Sequence, residues 1–169
     1  TDYNENCFIL PEPLMNKSTT RIMSLRDGSN KMSKSDISEY SRILMTDSND
    51  QISLKIKKAK TDSLKMPDTL KGAETRLEIN NLLNIYSACG LIDKEEVISK
   101  YASREISLFK KDLTEVIIKT VEPISIKTNL LLKDETYLDK VLREGASKAR
   151  VIADKTIRNI YDKIGMISK

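Results

Sequence analysis

A mainly α-helical fold is predicted by three features of this chain. From Asp47 onward, apolar residues recur at three- and four-residue spacing. Only 5% of residues are aromatic and none is Trp, while Ile and Leu are abundant, which suits helices packed through aliphatic stripes. The first 45 residues lack that periodicity and carry Pro11 and Pro13, so they read as connections and one strand. A length of 169 residues with 39% hydrophobic content suits one compact domain with a short appended segment.

The strand is expected at Arg21 to Leu25, where polar and apolar residues alternate before Asp27-Gly28, a dipeptide that favours a turn. A lone edge strand can neither satisfy its backbone nor bury its apolar face. Residues 1–45 are therefore expected to be poorly ordered by themselves, with Ile9, Leu10, Leu14 and the Ile22 to Leu25 stretch forming an exposed apolar patch. Asp47 or Ser48 can cap a helix through about Lys60, with Ile52, Ile56 and Ala59 inside and Lys55, Lys57 and Lys58 outside. Pro67 closes the connection to a buried helix over about Ala73 to Cys89. This helix carries Leu77, Leu82, Leu83, Ile85 and Tyr86 on its apolar side and ends at Gly90 as a left-handed terminator. A short helix runs from its cap Asp93 to Tyr101, with Glu95 and Glu96 complementing the helix dipole.

A fourth helix starts near Ser107, presents Leu108, Phe109, Leu113, Val116, Ile117 and Val121, and is bent or restarted by Pro123. The last, Asp134 to about Ile164, places Leu138, Leu142, Ala149, Ile152, Ala153, Ile157 and Ile160 on one face. Small residues around Gly145 and Ala146 would let another helix approach closely. The whole reads as an antiparallel helical bundle.

Charge and composition narrow the function classes. The net charge of +4, from 29 basic and 25 acidic side chains, does not by itself announce a nucleic-acid binder. Cys7 and Cys89 fit no metal-ligand spacing and are expected to be free thiols of a reducing, cytoplasmic compartment. No apolar run approaches the length of a membrane span, and no Walker-type phosphate loop occurs.

The chemistry concentrates at Lys31-Met32-Ser33-Lys34-Ser35. Two ammonium groups three residues apart, with hydroxyls between and after them, can converge on one polyphosphate and stabilise the charge of departing pyrophosphate. A solvated surface loop can have the same composition. On the last helix, Lys140, Arg143, Ser147 and Arg150 recur along one ridge that could track an RNA backbone. A solvated face with Asp139, Glu144 and Asp154 interleaved is the alternative.

KMSKS in full is the second signature of class I aminoacyl-tRNA synthetases. The stretches Leu10 to Leu14, Arg21 to Leu25, Asp27-Gly28 and Lys31 to Asp36 resemble bacterial-type or organellar tryptophanyl-tRNA synthetase. The resemblance continues through Ser41 to Ile43, Lys57 to Asp62, Asn81 to Tyr86, Phe109 to Lys111 and Pro123-Ile124, and so covers essentially the whole chain. The first class I signature, of His-x-Gly-His type, has no counterpart because the chain contains no histidine.

The resemblance implies the C-terminal half of such an enzyme. Residues 1–46 would be the end of a Rossmann-type α/β catalytic domain whose N-terminal part is absent, with its last strand and the KMSKS loop. Residues 47–169 would be a helical anticodon-binding-type domain. Lys31 and Lys34 would bind the triphosphate and act catalytically, Ile22 and Met32 would contact the nucleotide, Ser33 and Ser35 would add hydroxyl contacts, and Asp36 would cap the next turn. The implied reaction is activation of tryptophan by ATP with Mg²⁺ held by the nucleotide, followed by transfer to tRNA(Trp), in a parent that is a homodimer. By itself the chain is expected to be catalytically incompetent and monomeric; the alternative function is an isolated helical tRNA- or anticodon-binding module without catalysis.

Overall fold

A computed structural model of the chain describes residues 8–14 and 21–167. Among these residues lie six α-helices: α1 (Asn49–Lys58), α2 (Leu70–Glu74), α3 (Leu77–Gly90), α4 (Lys94–Tyr101), α5 (Ile106–Leu131) and α6 (Glu135–Ile164), with a 3₁₀ turn at Glu39–Ser41 before them. The chain divides into two compact units, Met15–Asn129 and Thr1–Leu14 with Leu130–Lys169. The boundary expected at 46/47 falls inside the first of these. Among the described residues no helix is long and apolar enough to cross a membrane.

The Met15–Asn129 unit has a core drawn from five helices and the segment before them. Ile52 and Ile56 of α1, Ala73 of α2, Ile79 and Leu83 of α3, Val97 of α4 and Phe109 and Leu113 of α5 are fully buried. At its centre Phe109 stacks on Tyr86 with centroids 5.8 Å apart and meets Tyr101 edge-on at 5.3 Å, two geometries favoured by the ring quadrupole. Tyr101 donates its hydroxyl to Asp112 Oδ2 at 2.5 Å, and the Tyr86 hydroxyl lies 3.4 Å from that of Tyr101, so both buried hydroxyls of the cluster have partners. Burial first, and the bond to Asp112 second, push the Tyr101 phenol up. Tyr86 and Tyr101 are thus core residues with hydroxyl partners, whereas Tyr137 is about half exposed.

Local chemistry explains where the elements depart from the sequence reading. Ser48 caps α1 in a capping box with Gln51, leaving Asp47 free for another task. Asp47 pairs with Lys55 Nζ at 2.5 Å, and both side chains are buried, so Lys55 lies inside rather than outside as expected. A helical wheel places lysines by spacing and cannot anticipate a carboxylate waiting within the core. The helix expected from Ala73 is broken at Thr75-Arg76, because the Arg76 guanidinium is drawn to Asp62 by bonds of 2.7 and 2.5 Å and to the Lys65 carbonyl at 2.7 Å. Leu77 then falls outside the core, half exposed. The left-handed terminator is Leu91, with φ 53°, not Gly90, which stays helical. Pro123 neither ends nor restarts α5, which runs through it; the carbonyl of exposed Lys119, which the proline leaves without an N–H donor, can turn to water.

α6 begins as expected, with Asp134 accepting the Tyr137 N–H at 2.9 Å, and ends on Gly165 at φ 72°. None of its residues is buried, and Leu142, Val151 and Ile152 are each about 70% exposed. Among the described residues an added Cβ at Gly145 would meet nothing within 4 Å. A stripe at helical spacing says which face seeks burial and is silent on whether a partner exists in the chain. Cys89 is a half-buried free thiol whose pKa is pushed up by burial, and Cys7 lies outside the described residues.

Phe109→Ala is expected to lower unfolding stability by about 3–5 kcal/mol, measured by urea denaturation, because the cavity lies between two rings that cannot collapse onto it. Acidification has a defined sign. Arg76 holds the Asp62 carboxyl below its usual range, and the Tyr101 hydroxyl does the same for Asp112. Carboxyls with a lower pKa folded than unfolded contribute stability above the unfolded value and lose it as pH falls through the folded one. The thermal midpoint should therefore hold above about pH 5 and fall below about pH 4, and Arg76→Gln should shrink that fall.

Candidate functional site

The KMSKS residues sit at the end of a tight turn whose geometry starts with Asp27. Its carboxylate accepts the Ser29 hydroxyl at 2.6 Å, the Ser29 N–H at 2.9 Å and the Asn30 amide at 2.6 Å, and these bonds, the Ser29 hydroxyl's above all, hold its pKa down. The chain folds back so that Ser24 N–H donates to the Asn30 carbonyl at 2.8 Å and Met32 N–H to the Ile22 carbonyl at 3.0 Å. The result is an antiparallel bridge between Met23 and Lys31 rather than the strand expected at Arg21 to Leu25. Among the described residues no further strand offers a ladder that could extend it.

Helix α3 supplies what a sheet would. Asn81, itself buried, accepts the Met23 N–H on Oδ1 at 2.9 Å and donates from Nδ2 to the Met23 carbonyl at 2.8 Å, satisfying both backbone groups at once. Gly28 packs directly on the first turn of α3, where an added Cβ would come within 2.9 Å of the Leu77 and Glu78 backbone. Leu25 is 2% exposed in the core and bonds to both flanks, donating to the Ser41 carbonyl at 2.9 Å and accepting from Lys60 N–H at 2.7 Å. The expectation of an exposed Ile22 to Leu25 stretch is therefore corrected: Ile22 and Met23 are partly buried, and Ser24 and Leu25 are buried. Ile9, Leu10 and Leu14 are exposed as expected, and residues 1–7 and 15–20 lie outside the described residues.

A cleft of about 570 Å³ opens beside this turn, lined by Ile22, Lys31, Met32, Ser33 and Lys34 together with Arg21 and the run Arg42 to Thr46. Five of the six residues assigned from sequence to a nucleotide thus share one recess. Ile22 and Met32 are partly buried against the core, while Lys31 and Lys34 project exposed ammonium groups that form no ion pair among the described residues. Ser35 is not in the lining; its hydroxyl lies 3.1 Å from Ser33 Oγ, and its N–H donates to that oxygen at 3.3 Å, so it shapes the loop. Asp36 accepts the Ser38 N–H at 2.8 Å, closing the turn that follows.

Arg42 escaped sequence assignment. Its Nη1 donates to the Asp36 carbonyl at 2.8 Å and the Ser38 carbonyl at 3.2 Å, tying the far end of the loop to the cleft wall, while Nε is buried without an acceptor among the described residues. The only signal was a basic residue in the Ser41-Arg42-Ile43 stretch. Asp47 braces the same wall, accepting the Leu44 N–H at 2.9 Å as well as Lys55.

The four ridge residues of α6, Lys140, Arg143, Ser147 and Arg150, are all exposed. Lys140 faces Glu144 at 4.0 Å and Arg143 faces Asp139 at 3.5 Å, so both have acidic neighbours on the helix.

Comparison with known proteins follows the same lines. The family model for tRNA synthetases class I (W and Y) matches residues 1–122, and the chain belongs to that family. Its relatives point to the tryptophan branch. The chain is 46% identical over 165 residues to a tryptophan–tRNA ligase of Rickettsia conorii, covering 98% of this chain and 49% of that protein. It is 41% identical over 160 residues to a tryptophan–tRNA ligase of Mesorhizobium japonicum, covering 95% and 45%. Among solved structures, the tryptophanyl-tRNA synthetase of Mycoplasma pneumoniae superposes with a TM-score of 0.74 at 26% identity over 92% of this chain and 48% of that one. That of Campylobacter jejuni, complexed with ADP and tryptophan, gives 0.65 at 26% identity over 98% and 49%. The chain spans about half the length of the curated relatives it matches.

Replacing Asn81 by Ala strands the half-buried Met23 N–H and carbonyl, each costing up to about 1–3 kcal/mol when unsatisfied. Trypsin cleavage at Lys31 and Lys34 should accelerate in this variant, together with a loss of global stability. Unchanged cleavage would mean that the core grip on Leu25 is sufficient to hold the turn.

Proposed function

We propose that this chain is the KMSKS-bearing C-terminal part of a tryptophan–tRNA ligase. What supports the reading above all is the single cleft that gathers Ile22, Lys31, Met32, Ser33 and Lys34 in a chain of this family. In the reaction, a carboxylate oxygen of tryptophan attacks the α phosphorus of ATP, the bond to the bridging oxygen breaks, and pyrophosphate leaves. A ribose hydroxyl at the tRNA 3′ end then attacks the acyl carbon and AMP departs. Residues 1–46 serve the first step and residues 47–169 the tRNA.

The residues present fit a nucleotide's phosphates. Lys31 and Lys34 carry point charges with three donors each, suited to the β and γ phosphates, and the charge growing on pyrophosphate is stabilised by ammonium groups already in place. Ile22 and Met32 offer apolar surface to the nucleoside, and Ser33 a hydroxyl. Ammonium and hydroxyl groups do not ligate a divalent cation well, so Mg²⁺ would be held by phosphate oxygens, where it withdraws charge from the leaving group. Arg42 holds the loop's end at the Asp36 and Ser38 carbonyls. On α6, Lys140, Arg143, Ser147 and Arg150 contact tRNA(Trp), the parent works as a homodimer in the cytoplasm, and tryptophan is bound by residues beyond this chain. The ADP and tryptophan in the Campylobacter structure agree with this substrate pair.

The test is a chimera in which this chain replaces the matching half of the Rickettsia conorii enzyme. Tryptophan-dependent exchange of pyrophosphate into ATP is expected. Lys34→Ala in that chimera should lower the exchange rate by roughly two to three orders of magnitude, as expected for loss of a positioned transition-state charge, with tryptophan binding nearly intact. An unchanged rate would remove Lys34 from the mechanism, and a chimera that folds but exchanges nothing would remove the ligase reading.

A further inference from the structure

A second recess in the Met15–Asn129 unit belongs neither to the nucleotide cleft nor to α6. It lies between α1 and the first half of α5, encloses about 720 Å³, and has Ser53, Lys57 and Thr61 along one wall and Lys110, Lys111 and Thr114 along the other. Glu115 is the one carboxylate in its lining. Among the described residues none of the three lysines forms an ion pair.

Lys110 is the telling residue. It is half-buried, and its ammonium donates to the Ala59 carbonyl at 2.7 Å, a neutral acceptor that leaves the charge uncompensated. Burial pulls its pKa down, and the nearby Arg26 charge pulls it further. Arg26 is itself held at the Lys58 carbonyl at 2.5 Å, so the fold keeps like charges close together where it could have separated them. A concentration of cations in a partly desolvated groove focuses positive potential that an incoming anion relieves. The α6 ridge differs, since Lys140 and Arg143 already have acidic neighbours.

The donor set selects the kind of anion. The hydroxyls of Ser53 and Thr114 are spent on the carbonyls of Asn49 and Lys110, both at 2.8 Å, so the lysines supply the charge that recognises a ligand, with the Thr61 and Ser107 hydroxyls beside them. Lysines on both walls read charge that repeats along a chain, without base specificity, and Ile106 and Ile118 add apolar surface against which sugars can rest. We propose that this groove binds the phosphate backbone of RNA, with about one phosphate per lysine. The choice of RNA as partner rests on the ligase reading above.

Fluorescence anisotropy of this chain with a tRNA(Trp) transcript, from about 50 to about 250 mM KCl, tests it. The double variant Lys57→Gln/Lys111→Gln, at two exposed positions, should flatten the slope of log Kd against log salt by about 1.5–2 and weaken binding roughly tenfold at the lower salt. Lys119→Gln/Lys127→Gln removes the same charge from α5 outside the groove and should change the slope far less. Equal effects of the two pairs, an unchanged slope, or no binding by the parent chain would each overturn the proposal. Displacement of the RNA by polyglutamate, with no dependence on the groove lysines, would also overturn it. Pyrophosphate exchange by the chimera involves no RNA, so a failure of the ligase reading and a failure of the groove are seen separately.

Discussion

Met23 carries a backbone N–H and carbonyl that must be paired beside a helical core, and Asn81 pairs both from a helix. Much of the cleft beside the KMSKS turn depends on that exchange. An extended segment usually discharges its polar groups into neighbouring strands, and a helix has none of its backbone to spare. A side-chain amide is the group that can present one acceptor and one donor at the spacing of a peptide unit. With Asn81 in place, Gly28 can settle against the start of α3 and Leu25 can enter the core, so the basic loop leaves a braced turn rather than a free tail.

The cleft combines two kinds of surface for the same reason. Residues facing the core, Ile22 and Met32, are tied by packing, whereas Lys31 and Lys34 one and two residues away remain in water. Exposed ammonium groups without ion-pair partners among the described residues stay open to an incoming anion. The opposite wall is stiffened from within by the buried Asp47–Lys55 pair, where breaking one partner would strand a charge. Arg42 links wall to loop end through two carbonyls. Lysines thus have three distinct fates here: buried and paired at 55, half-buried and uncompensated at 110, exposed at 31 and 34.

Much of this was legible in the residues. The turn at Asp27-Gly28, the capping of α1 by Ser48, the start of α6 at Asp134 and the apolar faces of α1, α3 and α5 follow from local chemistry and spacing, while the grouping of Ile22 with the KMSKS residues came from the family resemblance. Contacts distant in sequence were not legible. Asn81 lies 58 positions from Met23 and sits in a helix whose other inward residues are apolar, so its amide reads as a polar interruption until the partner is seen. Arg76 breaking a helix to reach Asp62, and Lys55 turning inward to Asp47, are the same kind of event.

By itself, then, the sequence determined the helical periodicity, the caps and turns, and the basic hydroxyl loop, because each depends on residues within a turn or two of one another. Tertiary structure decided which polar groups could be buried and which apolar faces were covered. It gave Met23 a partner in Asn81, drew Lys55 inside, left all of α6 unburied despite its stripe, and opened the lysine groove between α1 and α5. The physical reason is that burial is a property of a pair of surfaces, and the second surface is not written beside the first.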